Sequence, residues 1–237
     1  MMLDDDDEPI NPELSVKARL GALGFDVDFV ATAEQERPDL LASKDGSRMV
    51  VEVKTRTEDR QLRKAMESVK LGETRAVFAH LDKHNSISAH VEKANRQLSS
   101  IAEASDFRLL WFQSDSGLFV HDGGEQIAAT LLGVRMLCVV REGMPPEAMY
   151  CFYADRADFF RYREIDGAMV EVDGDLTLFL NEFSPRRLDF AESPIARTIS
   201  PHVVSVLALA REGCCYVIDA DVDRKDDAVL LEFLRSK

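Results

Sequence analysis

Arg37-Pro38-Asp39-Leu40-Leu41-Ala42-Ser43-Lys44-Asp45-Gly46-Ser47-Arg48-Met49-Val50-Val51-Glu52-Val53-Lys54 reads as a hairpin whose register follows from its turn. Asp45-Gly46 lies between two apolar runs, and this dipeptide favours a two-residue turn with both central residues at positive φ. If Lys44 pairs with Ser47, cross-strand partners have numbers summing to 91, so Ser43 faces Arg48, Leu41 faces Val50 and Asp39 faces Glu52. Side chains alternate along a strand. Lys54 therefore shares the face of Glu52, while Met49, Val51 and Val53 point the other way into an apolar layer.

Carboxylates placed directly opposite each other, with Cβ atoms about 4.5–5.5 Å apart, repel unless something neutralises them. On an ordinary surface hairpin Lys54 and Arg37 would do so; a divalent cation is the alternative. Pro38-Asp39, twelve intervening residues and then Glu52-Val53-Lys54 resemble the signature of the PD-(D/E)xK nuclease superfamily, the restriction-endonuclease-like fold. The resemblance implies an α/β protein with a mixed sheet flanked by helices in the order αβββαβ, and a metal-dependent nuclease acting on DNA more than on RNA. Asp39 and Glu52 would hold Mg²⁺ or Mn²⁺ with the Val53 carbonyl as a third ligand, hard oxygens suited to either ion. Lys54 would orient or help deprotonate the attacking water, or hold the scissile phosphate. A catalytically silent member of the same fold, serving as an interaction module, is the competing expectation.

The resemblance runs from residue 12 to about residue 113. Asn11-Pro12-Glu13 starts a helix, with Asn as cap, Pro in the first turn and Gly24 as terminator. Leu14, Ala18, Gly21 and Ala22 are its expected buried stripe. Similar nucleases carry a glutamate on this helix that reaches the metal, and Glu13 occupies the matching position; an acid favouring the helix dipole, or a partner of Lys17, would read the same way. Phe25 to Val30 forms a first strand. Thr57 to Leu71 reads as a helix, Arg75 to Leu81 as a strand, Ile87 to Ala104 as a helix and Phe107 to Gln113 as a central strand. Gln97 matches the polar helper that similar nucleases carry on the helix after the Glu-x-Lys strand, with Gln61 and Arg63 as rivals. After Asp122-Gly123-Gly124 a helix to about Leu132 leads into Val134 to Val140, an apolar run suited to a buried strand.

Arg141 to Pro146 is rich in turn formers, which divides the chain into an acidic tail (1–10), a nuclease-like core (11–140) and an α+β extension (141–237) that begins β-rich. Met149 to Tyr153 and Phe159 to Arg163 read as strands, and Asp173-Gly174 as a second hairpin turn between 168–172 and 176–180. Ser193 to Ala210 is helical around Pro201, Cys215 to Ile218 a strand, and a last helix starts near Asp226. In Asn181 to Arg187 the pair Arg186-Arg187 is a candidate phosphate clamp, against the alternative of a solvated turn. Tyr150, Phe152, Tyr153, Phe159, Phe160 and Tyr162 could stack unpaired bases, but at strand spacing they fit a core better, or a dimer interface; a homodimer joins nucleic acid among the expected partners.

Composition sets the outer bounds. With 237 residues, 46% of them hydrophobic, the chain can bury a substantial core. Its net charge of −14 opposes a general nucleic-acid coat, but residues 54 to 96 hold ten basic side chains against six acids, including Arg56, Arg60, Arg63 and Lys64. Cys138, Cys151, Cys214 and Cys215 lack zinc-ribbon or CxxC spacing, and the start is acidic where a targeting segment would be basic, so a reduced cytoplasmic protein away from membranes is expected. His80, His84 and His90 lie in a stretch that reads as loop more than as a zinc site.

Overall fold

The Asn11 side chain accepts hydrogen bonds from the N–H groups of Glu13 and Leu14 and opens α1 (Pro12–Ala22), with Pro12 in the first turn. After it come β1 (Asp26–Phe29), β2 (Leu40–Lys44) and β3 (Ser47–Arg56). Asp45 and Gly46 have φ of 49° and 78°, and the hairpin pairs Lys44 with Ser47 through to Leu40 with Val51, the expected register. The computed structural model describes residues 11–30, 37–56, 85–114, 120–140, 142–143, 145–172 and 174–235. The acidic tail, the helix and strand expected between 57 and 81, and His80 and His84 lie outside the described residues.

The chain is α/β. Its main sheet has the order β1-β2-β3-β4-β7-β8-β9, where β4 is Phe107–Ser114, β7 Gly167–Val172, β8 Asp175–Leu180 and β9 His202–Val204. β4 lies parallel to both β3 and β7 at the centre. Phe107, Leu109, Leu110, Trp111 and Phe112 are all buried there, because both faces of the sheet are covered.

One face carries α1 and a short helix, α6 (Pro194–Ile199), over Met49, Val51, Val53, Leu109 and Trp111. The other carries α2 (Asn85–Ile101) and α3 (Val120–Leu132), with Ile87, Val91, Ala94 and Leu98 of α2 at helical spacing over Val50 and Leu110. A second sheet of three strands, β10-β6-β5, joins this same core: β5 is Arg135–Val139, β6 Glu147–Phe152 and β10 Tyr216–Val217. Short helices α4 (Asp158–Arg161), α5 (Arg187–Glu192) and α7 (Val206–Arg211) fill the connections, and α8 (Asp227–Arg235) follows β10.

Several expectations are corrected. Within residues 141–237, β7, β8 and β9 extend the sheet that holds the hairpin. Phe159 to Arg163 contributes the helical turn α4 because Phe159 packs into the core while Arg161 and Arg163 stay outside, a spacing that fits a helix as well as a strand. The segment from Ser193 to Ala210 breaks into α6, β9 and α7, as Pro201 precedes a short strand bonded to β8. α3 begins at Val120, ahead of the glycine pair. β5 is an exposed edge and not a buried strand: among the described residues it pairs with β6 alone, and it leaves Met136, and Val140 just beyond it, in solvent.

α1 also turns the other way from its expected stripe. Val16 and Leu20 are fully buried, whereas Leu14, Ala18, Gly21 and Ala22 are exposed. Glu13 lies three residues before Val16, on the half-buried side of the helix. Leu20→Ala should therefore cost about 2–5 kcal/mol in urea denaturation, and Leu14→Ala no more than ~0.5 kcal/mol; the reverse order would return α1 to the expected stripe.

Candidate metal and phosphodiester site

Pro38 has no N–H to extend the β2–β3 ladder, and the bonding that follows is built by Asp39. Its own N–H donates to the Val51 carbonyl at 3.1 Å, and its carbonyl accepts from Val30 N–H at 3.1 Å. The next inward-facing donor on β3, the Val53 N–H, bonds the Asp39 Oδ2 at 2.7 Å. A side chain thus completes the ladder, and its carboxylate is fixed at the end of β2. In extended backbone the N–H and C=O of one residue point to the same side, so the Val53 carbonyl faces the edge where Asp39 sits.

Glu52 is 1% exposed, on the α2 side of the sheet. The Lys54 ammonium, two residues along on the same face, forms an ion pair with its Oε1. Oε2 is buried and has no hydrogen-bond partner among the described residues. Burial pushes the Glu52 pKa up from 4.5 to about 7; Lys54 opposes this, and the neighbouring Asp39 carboxylate adds to it. Glu13 belongs to the same electrostatic group: burial raises its pKa, Asp39 raises it further, and Lys54 pulls it down. Asp39, Glu52, Lys54 and Glu13 are thus assembled from three elements.

Gln97 lies beside the segment that carries Asp39. It is buried on α2, and its Nε2 donates to the Arg37 carbonyl at 3.0 Å. That bond fastens the Arg37-Pro38-Asp39 segment to the helix, while the Gln97 Oε1 is buried without a hydrogen-bond partner among the described residues. His90 is the residue the sequence reading missed as a neighbour of the site. Burial lowers its pKa and the Lys54 charge lowers it further. The row His90, Ala94, Gln97 at helical spacing is the signal that would have found it.

The candidate phosphate clamp is also corrected. The Arg186 guanidinium is committed internally, donating to the Asp166 carboxylate at 2.7 Å and to the carbonyls of Asp106, Ala104 and Glu164. Asn181, which opens that turn, donates to the carbonyls of Phe159, Tyr162 and Ile165. Such a turn ties loops together, and one arginine of the pair has no donors left for phosphate. Arg187 is partly exposed and makes long contacts to Glu182. Arg56 ends β3 with its side chain outside the described residues, as are Arg60, Gln61, Arg63 and Lys64.

Two carboxylates, a carbonyl on the same edge and an orphaned buried oxygen on Glu52 are a donor set that fits a hard divalent cation. Among the described residues no group of three or more His, Cys, Asp or Glu side chains is placed to hold a metal ion. Mg²⁺ needs none, as it keeps several waters and takes one or two carboxylates from the protein. No protein-family model matches the sequence, and neither a curated protein nor a solved structure matches the chain. Among the described residues no helix is long and apolar enough to cross a membrane.

A pKa raised in the folded state favours folding while the group is protonated, so the Glu52 contribution is complete below pH 4.5 and lost as the pH rises to about 7. In the metal-free chain, the stability of wild type relative to Glu52→Gln should fall across that window when urea denaturation is repeated from pH 4 to 8. A difference that stays flat would show that folding does not raise the Glu52 pKa.

Proposed function

We propose that the chain is a metal-dependent phosphodiesterase acting on nucleic acid, with DNA favoured over RNA. The observation that carries this reading is the Asp39–Glu52–Lys54 group at the end of the β2–β3 hairpin, in which one buried oxygen of Glu52 lacks a partner. The resemblance of Pro38-Asp39 and Glu52-Val53-Lys54 to the PD-(D/E)xK signature supports it, as does the basic balance of residues 54 to 96 within an acidic chain.

Bound Mg²⁺ or Mn²⁺ would polarise the phosphoryl oxygen and lower the pKa of its water. Asp39 would hold the ion through Oδ1, since Oδ2 is held by the Val53 N–H. Glu52 would offer Oε2 first, and Oε1 once Lys54 turns away. Lys54, released from that pair, would offer its ammonium to a phosphate oxygen or to an attacking water. Glu13, whose pKa is raised by burial and by the Asp39 charge, would contribute through a water molecule more readily than as a direct ligand.

The Lys54–Glu52 ion pair also supports a second reading, a silent interaction module in which the ammonium takes the place of the cation. Incubation with plasmid, single-stranded DNA and RNA in Mg²⁺ or Mn²⁺ separates the two. The enzyme should give metal-dependent cleavage that Lys54→Ala reduces about 10²-fold or more, and calorimetry should show cation binding that Asp39→Asn abolishes. Absence of both cleavage and cation binding, with Asp39→Asn more stable than wild type, would assign the silent module.

A further inference from the structure

The second half of the chain holds a cavity of about 640 Å³ to which no residue of the Arg37–Lys54 hairpin contributes. That volume falls within the range of small-molecule sites, about 300–1,000 Å³. Met149, Leu207, Val217 and Leu234, from β6, α7, β10 and α8, make an apolar wall. Tyr153 and Phe183 back it with rings packed edge to face, centroids 4.6 Å apart, so the base is rigid.

Charge is distributed unevenly around this wall. The Glu182 carboxylate already accepts from the Ser205 hydroxyl at 2.5 Å and the Leu207 N–H at 3.3 Å, which holds it at the start of α7 and leaves its charge in place. Asp219, the other acid of the lining, has a partner of its own. Arg187 touches Glu182 only at 3.4 Å and 3.8 Å. Arg211, exposed in the last turn of α7, makes no hydrogen bond or ion pair among the described residues. An apolar chamber therefore opens beside two guanidinium groups with bonding capacity to give.

We propose that this cavity binds a small organic anion with an apolar body, an acyl or aryl carboxylate, its head on Arg211 and Arg187 and its body against Leu207 and Val217. Guanidinium groups match a carboxylate with two parallel hydrogen bonds. The site is independent of the hairpin carboxylates and of the reaction proposed for them.

The test is a fluorescence titration of the full chain with 1-anilinonaphthalene-8-sulfonate at pH 7. Saturable binding of one equivalent with blue-shifted emission is expected, displaced by decanoate or 1-naphthoate, and at least tenfold less well by uncharged decanol. The better competitor of the two acids tells an acyl from an aryl body. Arg211→Glu should weaken probe binding at least tenfold with circular dichroism, melting temperature and Mg²⁺ affinity unchanged, and Ala210→Trp, which fills the chamber, should abolish it. If Ala210→Trp does not fold, Arg211→Glu and Arg187→Gln decide. No saturable binding, or binding that these variants leave unchanged, would overturn the proposal.

Discussion

A two-residue turn with both residues in the left-handed region admits one register for the strands it joins, and here that register fixes the chemistry of the site. A slip of one residue between β2 and β3 would move Glu52 and Lys54 to the face covered by α1 and bring Val51 and Val53 to the face covered by α2. The apolar layer forbids this, because Glu52 and Lys54 would enter the cluster formed by Val16, Leu20, Leu109 and Trp111, where nothing pairs with their charges. The turn and the core thus enforce the same pairing, and a carboxylate as costly to bury as Glu52 is held in place by the burial of its neighbours.

The rest of the chain keeps that arrangement rigid. β4 covers the inner edge of β3, and β7 covers β4, so the hairpin is backed by strands from both halves of the sequence. Two buried aspartates tie the layers at the far end. Asp106 receives a two-pronged bond from Arg48 at 2.6 Å and 2.8 Å. Asp166 takes the Ser184 hydroxyl, the Arg108 N–H and Arg186. Removing Arg186 would leave Asp166 buried without its counter-charge, an error far larger than the loss of a surface contact.

Local chemistry made the hairpin legible in the sequence: Asp45-Gly46 set the turn, alternation set the faces, and Asn11 and Pro12 set the start of α1. The second hairpin, pairing Val172 with Asp175, was legible for the same reason. What the sequence did not disclose depends on distant partners. α1 has apolar residues on two sides, and only the sheet beneath it selects Val16 and Leu20 over Leu14. Phe159 to Arg163 has a spacing that suits either secondary structure, and the run from Arg135 to Val140 is apolar without being covered. Gln97 was found by its position on α2, yet its partner is the Arg37 carbonyl, a contact that exists only once the helix lies over the hairpin.

The two sheets differ in how their outer strands meet solvent. β1 borders the main sheet with Asp26 and Asp28 exposed, and β9 at the other border is only three residues long. Negative charge and brevity both discourage an incoming strand from adding on. β5 is less protected: it is five residues long, its one charge, Arg135, stands at its start and is paired with Asp227, and Met136 and Cys138 are exposed along it. Self-association through backbone pairing, when the folded chain is concentrated or partly unfolded, would start along β5.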